Sequence, residues 1–390
     1  ILHSAHDPAM ARRLAETLVR NGIRVLSPTE PLTVQGRRLP AEGTFVVPLD
    51  QPSHRLVRNL LDPQTSMDTT FVEEQIRRRS LRLRDQIYDV TAWNLPMLWD
   101  VELLEGSAGL AASAAPVVPG EVNAPAAADD TGMVAYLMPW GAGTAAAVAE
   151  LLRDGATVRA TGADLTLAGR DYPVGTAIIR PSENGPGTGA RVMAAAARHS
   201  APVVAARSAY TDAGSSLGSN ATRTLRLPRI LLAYDRPGST YSVGWARYVL
   251  ERRYGLPVTA VRTGSIARAT LSDFDVIVLP SGNYAGEFGQ GMVDRLRQWM
   301  AEGGTLVTVA ESSRWAARAG LLATVTELRG GSPEFGENAG GARSGGVPEQ
   351  PIDPVASLAP PREAPEPVPG AILNVELDTS HWRRRSTIPW

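Results

Sequence analysis

A stretch near the start of the chain recurs, degenerate but in register, after an Ala/Pro-rich segment. This duplication limits the fold more than any other feature. Leu14 to Pro40 aligns without a gap on Ala147 to Pro173 at a constant offset of 133 residues, with nine of 27 positions identical. Leu18/Leu151, Gly22/Gly155, Leu32/Leu165, Thr33/Thr166, Gly36/Gly169, Arg37/Arg170 and Pro40/Pro173 are among the identities. One residue is then lost, and Gly43-Thr44-Phe45-Val46-Val47 matches Gly175-Thr176-Ala177-Ile178-Ile179. The copied residues are mostly those that set backbone shape, so the repeat speaks of duplicated scaffold rather than duplicated chemistry.

Local signals give the first copy a plan. Asp7-Pro8 reads as a helix N-cap followed by proline at the first helical position. Met10, Leu14 and Leu18 recur every four residues, and Gly22 ends the helix. Ile23 to Leu26, Leu32 to Val34 and Thr44 to Val47 read as strands around a Gly36/Pro40 turn region, and a helix runs from Gln51 through Leu61. The second copy repeats this from strand Val134 to Met138, through helix Thr144 to Arg153, to an Ala-rich helix around Met193. A third set begins near Leu227. Strands Arg229 to Tyr234, Val258 to Val261, Asp275 to Leu279 and Thr305 to Ala310 alternate there with helices Tyr241 to Arg253 and Gly291 to Ala301. Continuous apolar strands alternating with amphipathic helices predict a parallel sheet covered on both faces.

The fold class is thus α/β: two repeated α/β units followed by a doubly wound parallel-sheet domain. The expected boundaries are 1–104 for the first unit, 105–131 for a flexible linker, 132–226 for the second unit and 227–329 for the third domain. A Gly/Pro-rich insert, 330–368, is expected to be disordered, and 369–390 forms a terminal strand and tail.

Composition excludes several function classes. The net charge of −1 gives no electrostatic reason to bind nucleic acid or an anionic membrane. Cysteine is absent and all 39 basic residues are Arg, which removes a thiolate nucleophile, Cys-ligated metal, a P-loop lysine and Schiff-base chemistry. No run of about 18 apolar residues exists to span a membrane, and there is no signal peptide. The chain opens at Ile1, without Met and inside a strand, and stops after an Arg383-Arg384-Arg385 run. Both ends read as cut, and the chain as a fragment of a longer protein.

One segment goes beyond architecture: Ile87-Tyr-Asp-Val-Thr-Ala-Trp-Asn-Leu-Pro-Met-Leu-Trp-Asp-Val-Glu102. Together with Gly43 to Pro52 it resembles large bacterial zinc carboxypeptidases of the carboxypeptidase A-like family, in the region downstream of their catalytic domain. Gly244-Trp245 through Pro257 and Asp275-Val-Ile-Val-Leu-Pro280 are similar to the family's class I glutamine amidotransferase-like domain, and Pro369 to Trp382 to its tail. The resemblance implies an upstream peptidase domain of the same polypeptide as partner, zinc held in that domain, proteolysis by the parent protein, and a secreted or periplasmic location. The family's zinc site needs His-x-x-Glu. None of His3, His6, His54, His199 and His381 has Glu three residues on. The amidotransferase triad lacks its cysteine. This chain is therefore expected to hold no metal and no catalytic residue, and to scaffold or gate the catalytic domain. The alternative is a stand-alone small-molecule or protein-binding module on an inactive amidotransferase-like fold.

Asp235, Ser281 and Glu311 are the candidate ligand-binding residues, because each follows a strand of the third domain and ligands of open parallel sheets bind at strand carboxyl ends. Glu311-Ser312-Ser313 is also where a strand-to-helix nucleophile turn falls. His3-Ser-Ala-His6 can bring two imidazoles together but reads as capping. Gly185-Pro-Gly187-Thr-Gly189 can cradle an anion ahead of a helix but reads as a loop. Tyr88, Trp93 and Trp99 form an aromatic set for core packing or domain docking. Arg77 to Arg84 reads as a solvated helix face, with Val72, Ile76, Leu83 and Ile87 turned inward.

Overall fold

The computed structural model describes residues 1–63, 68–81, 83, 86, 94–107, 113–121 and 129–322. The Tyr88 to Trp93 segment, the 330–368 insert, the 369–390 tail and His381 lie outside them. The chain is α/β, with one all-parallel sheet.

The first unit runs β1 (Leu2–His3), α1 (Pro8–Arg20), β2 (Leu26–Pro28), β3 (Leu32–Val34), β4 (Arg37–Leu39) and β5 (Thr44–Phe45). It continues through α2 (His54–Leu61), α3 (Thr69–Ser80), α4 (Leu95–Trp99), β6 (Glu102–Leu103) and β7 (Ala114–Pro116). The second runs β8 (Ala135–Met138), α5 (Ala142–Arg153), β9 (Arg159–Thr161), β10 (Leu165–Leu167), β11 (Arg170–Tyr172) and β12 (Ala177–Ile179). Then follow α6 (Pro181–Asn184), α7 (Thr188–His199), β13 (Val204–Ala206), β14 (Ala213–Gly214) and β15 (Thr222–Thr224). β2, β3 and β4 recur in β9, β10 and β11 at the 133-residue offset.

Both sheets follow one scheme. In the second unit the order is β13-β8-β12-β9-β15, every neighbouring pair antiparallel. In the first, β6-β1-β5 and β2-β7 are joined by the bridge Leu26↔Val46, which gives β6-β1-β5-β2-β7. The strands flanking each long helix are therefore parallel to one another, with the later strand β5 or β12 inserted between them. β7 falls inside the stretch expected to be linker. Its backbone pairs with β2, and Val117 enters the core, so the first unit reaches past the expected boundary.

Local chemistry explains the shared shape. Gln35-Gly36 and Ala168-Gly169 are two-residue hairpin turns with φ of 50°, 76°, 52° and 69°, the left-handed pair of a type I′ turn. Thr44 Oγ1 donates to the Pro40 carbonyl and Thr176 Oγ1 to that of Pro173. The Gln51 side chain spans the amide and carbonyl of Arg24 (2.7 and 3.1 Å), and the Asn184 side chain spans those of Thr157 (2.7 and 3.0 Å). Each sheet buries a helix-side core (Leu18, Val25, Phe45; Leu151, Val158, Ala177) and a hairpin-side core (Leu32, Leu39, Val46; Leu165, Tyr172, Ile178).

The third unit comprises β16 (Ile230–Ala233), α8 (Thr240–Arg247) continued by a π-helical turn (Tyr248–Arg253), β17 (Val258–Val261) and α9 (Thr263–Ile266). It ends with β18 (Val276–Leu279), α10 (Gln290–Ala301), β19 (Thr305–Thr308) and α11 (Glu311–Arg318). The strand order is β17-β16-β18-β19, all parallel. Leu231, Ala233, Ile277 and Leu279 pack on Ile266, Leu296, Trp299 and Trp315. The alternate residues Ile230, Leu232 and Val278 face Ala246, Leu250 and Leu256. Helices thus cover both faces.

Two local expectations change. α3 ends at Ser80, so Leu83, whose amide bonds back to the Arg78 carbonyl, lies outside the helix; Ile87 lies outside the described residues. Ile76 is 62% exposed and Leu83 is also exposed, while Gln75 of that helix is buried and bonded to Gln86. Asp7 does not cap its own helix; its carboxylate accepts from Ala142 N at the start of α5 (2.7 Å).

Candidate functional site

The parallel strands deliver Asp235, Ser281 and Glu311 to one edge of the third unit, beyond the ends of β16, β18 and β19. Asp235 Oδ1 accepts from Thr263 N at the start of α9 (2.8 Å), and that bond holds its carboxyl below the usual range. The Ser281 carbonyl accepts from Ser239 N (2.7 Å), and its amide donates to Ser242 Oγ (2.9 Å). A Cβ on Gly282 would stand 2.5 Å from the Pro237 carbonyl oxygen, so the loop after β16 lies directly against the loop after β18. Tyr284 sits beneath. Burial, reinforced by the Asp235 charge, pushes its phenol up, and its hydroxyl donates to the Pro280 carbonyl (3.1 Å). The structure therefore couples the Asp235 and Ser281 loops. Glu311 pairs with Arg314 in its own first helical turn (3.3 Å).

A strand-to-helix nucleophile turn is expected at Glu311-Ser312-Ser313, where α11 begins. Ser312 is fully buried. Its Oγ accepts from Val309 N (2.7 Å), with the Leu279 and Val309 carbonyls as acceptors for its own proton (2.8 and 2.9 Å). It is a structural clasp. The strained residue is Ala310, at φ 52° and ψ −114°, exposed between β19 and α11. A sharp, strained turn from strand to helix is the arrangement that lifts a nucleophile to the top of an α/β sheet. Here it presents a methyl group.

The four described histidines do not converge. His3 is buried, its Nδ1 against Thr44 Oγ1 (2.9 Å), and burial depresses its pKa. His6 Nε2 meets Asp100 Oδ2 (2.5 Å), His54 Nδ1 the Gln51 carbonyl, and His199 Nε2 Glu150 Oε2 (2.8 Å). Among the described residues no three His, Asp or Glu side chains gather to hold a metal. Zinc wants three or four such ligands at one point, which the described residues do not bring together. The glycine-rich loop does cradle an anion, and the anion is the chain's own. Asp130 Oδ1 accepts from Gly189 N and Tyr136 Oη (both 2.8 Å). Burial opposes ionisation of Asp130, but the bonds from Tyr136 and the amides of Gly189, Gly187 and Thr188 hold its carboxyl low.

Sequence reasoning missed a concavity of about 670 Å3 between α1 and α8. Tyr241, Trp245 and Tyr248 wall it from one side and Trp99 from α4 joins the lining, with Arg13, Arg20 and Arg253 around them. The three aromatics recur at helical spacing along one face, a signal that was read as part of an ordinary amphipathic helix. Of the aromatic set expected near the Tyr88 to Trp99 segment, Trp99 is the member within the described residues; it packs on the first core and reaches this cavity. No helix among the described residues is long and apolar enough to cross a membrane.

A scan against protein-family models, a search of curated proteins and a search of solved structures each found no match to this chain.

Proposed function

We propose that this chain is the non-catalytic downstream region of a zinc carboxypeptidase-like metallopeptidase, scaffolding or gating a catalytic domain that lies upstream in the same polypeptide. In finer architecture, two copies of one duplicated α/β unit precede a doubly wound, amidotransferase-like domain. Zinc belongs to the upstream domain, and the location is secreted or periplasmic.

The observation that carries the non-catalytic part of this reading is Ala310. A strained backbone is costly, and a non-glycine residue held at positive φ beside a helix start marks a place built for a reactive side chain. With alanine there, the unit keeps the shape and lacks the reagent. Ser312 is buried and fully bonded, the Asp235 carboxylate accepts from Thr263 N, and the main chain of Ser281 ties its loop to Ser239 and Ser242. These roles suit a unit retained for packing and positioning. The peptidase assignment rests on the resemblance of Ile87 to Glu102 and Gly43 to Pro52.

The test compares the polypeptide that includes the upstream domain with a version lacking residues 1–322. A scaffold that holds the remote part of a substrate should change kcat/KM on long peptides by about tenfold or more, yet leave a blocked dipeptide nearly unaffected. Equal effects on both substrates, or an upstream reading frame without His-x-x-Glu, would overturn the assignment. The second reading, a free-standing binding module, is favoured by the aromatic and basic cavity between α1 and α8.

A further inference from the structure

The cavity between α1 and α8 has the composition of a ligand site. At about 670 Å3 it falls in the range of small-molecule pockets, and it lies between two units, where such pockets concentrate. Tyr241 is 81% exposed, Trp245 66% and Tyr248 52%, and the last two meet edge to face at 5.7 Å. Large aromatic side chains grouped in the open mark a contact surface rather than scatter. The wall they stand on includes the π-helical turn Tyr248–Arg253, a distortion often found at functional sites.

The charges of this cavity are unbalanced. Glu16 is the only carboxylate in its lining, and that group is already engaged by Arg12 (3.2 Å) and Arg20 (3.1 Å). Arg13 and Arg253 have no carboxylate partner among the described residues. Arg253 is half-buried, and desolvation together with repulsion from Arg13 lowers its pKa, so the two guanidiniums face one region without a counter-charge. A desolvated, unpaired cation is unfavourable until an anion meets it.

Gly244 supplies the third element. It sits inside α8, where glycine weakens a helix relative to alanine, and apart from its chain neighbours and the helix's own backbone no atom lies within 4 Å of the position its Cβ would occupy. Neither backbone conformation nor close packing calls for glycine there. Its missing side chain leaves the cavity open.

We infer that this cleft binds a small organic anion, with a flat ring laid against Trp245 and Tyr241 and a carboxylate or phosphate held by Arg13 and Arg253. This site is separate from the strand-end residues Asp235, Ser281 and Glu311, and it does not depend on the peptidase reading. Isothermal titration of the whole chain with 1-naphthoate, 1-naphthyl phosphate and the neutral 1-naphthalenemethanol tests it. At least one anion should bind with Kd below about 1 mM. The neutral alcohol should bind about tenfold more weakly or worse, and Arg253→Gln should cost about tenfold on the anion. Gly244→Leu should abolish binding while leaving the melting temperature unchanged or higher. The tighter of the two anions tells whether the natural ligand carries a carboxylate or a phosphate. No heat from either anion at about 10 mM would overturn the inference. So would equal affinity for the alcohol, or full affinity retained in a folded Gly244→Leu variant.

Discussion

Asp7 and Asp130 each cap a helix to which they do not belong, and Asp7 does so across two units. α5 begins at Gly141, which has no side chain to cap it, so Asp7 from the other unit accepts the Ala142 amide while its second oxygen, Oδ1, stays buried without a partner. The carboxylate also sits at the positive end of the α5 dipole. Asp7→Ala should therefore lower stability by about 1–2 kcal/mol in urea unfolding, the usual loss for a helix cap. An effect indistinguishable from zero would show that the contact between α1 and α5 does not need it. Asp130 reaches α7 because Gly189 leaves room. A Cβ at Gly189 would fall 2.1 Å from Tyr136 Oη and 2.8 Å from Asp130 Oδ1. Gly189→Ala should then destabilise by about 1–3 kcal/mol, as overpacking does, although alanine is the better helix former. A rise in melting temperature would contradict the packing described. Asp7-Pro8 was legible as a cap, but the helix it serves is chosen by long-range packing that no local pattern encodes. The glycines of the Gly185 to Gly189 loop were legible, and the anion they hold was not, because Asp130 lies far off in sequence.

Elements tell a similar story of local chemistry fixed and partners free. The turns at Gly36 and Gly169 could be read because left-handed φ restricts residue choice on the spot, but the return strands β4 and β11 that make them hairpins fall in or beside the expected turn regions and went unread. β6 (Glu-Leu) and β7 (Ala-Ala-Pro) went unread: strands of two or three residues have no periodicity to detect, and they exist through the edges they complete. In the third unit, Asp275 holds the start of β18 to the start of β16. Side-chain bonds from Arg229 and then Arg226 hold its carboxyl far below the usual range, and its side chain is largely buried. A depressed folded-state pKa contributes stability above the unfolded value of about 4, and that stability is lost as pH falls through the folded value. Asp275→Asn should thus be less stable at pH 7 and should show a shallower acid limb below about pH 4, converging on the parent; parallel curves would rule this out. Both arginines are exposed, so the loss at pH 7 should be modest. The elbow at Ala310 has its own assay. The chain contains no cysteine, so Ala310→Cys installs a single thiol at the N-terminus of α11. Its alkylation rate should titrate with a midpoint below the ordinary thiol value of about 8.5. A midpoint at or above that value would argue against the elbow as drawn.

At the scale of the whole molecule, α/β character and the parallel sheet were readable from apolar runs alternating with amphipathic helices. The inserted middle strands β5 and β12 were not. A strand read alone does not reveal which neighbour it separates, and both units proved antiparallel from strand to strand. The cavity stayed hidden because Arg13 and Trp245 come from segments far apart in the chain, and only the packing of two units sets them side by side. The duplication explains why so much of the chain serves shape. Two sheets of one plan and a third with an alanine at its elbow suit the proposed role, a body that positions a catalytic domain carried elsewhere in the same polypeptide. Zinc stoichiometry tests that claim most directly. Elemental analysis of the purified chain after dialysis should find far less than one zinc per molecule, and the polypeptide extended through its upstream domain should hold close to one. One tightly held zinc in this chain alone, or none in the extended polypeptide, would contradict the account.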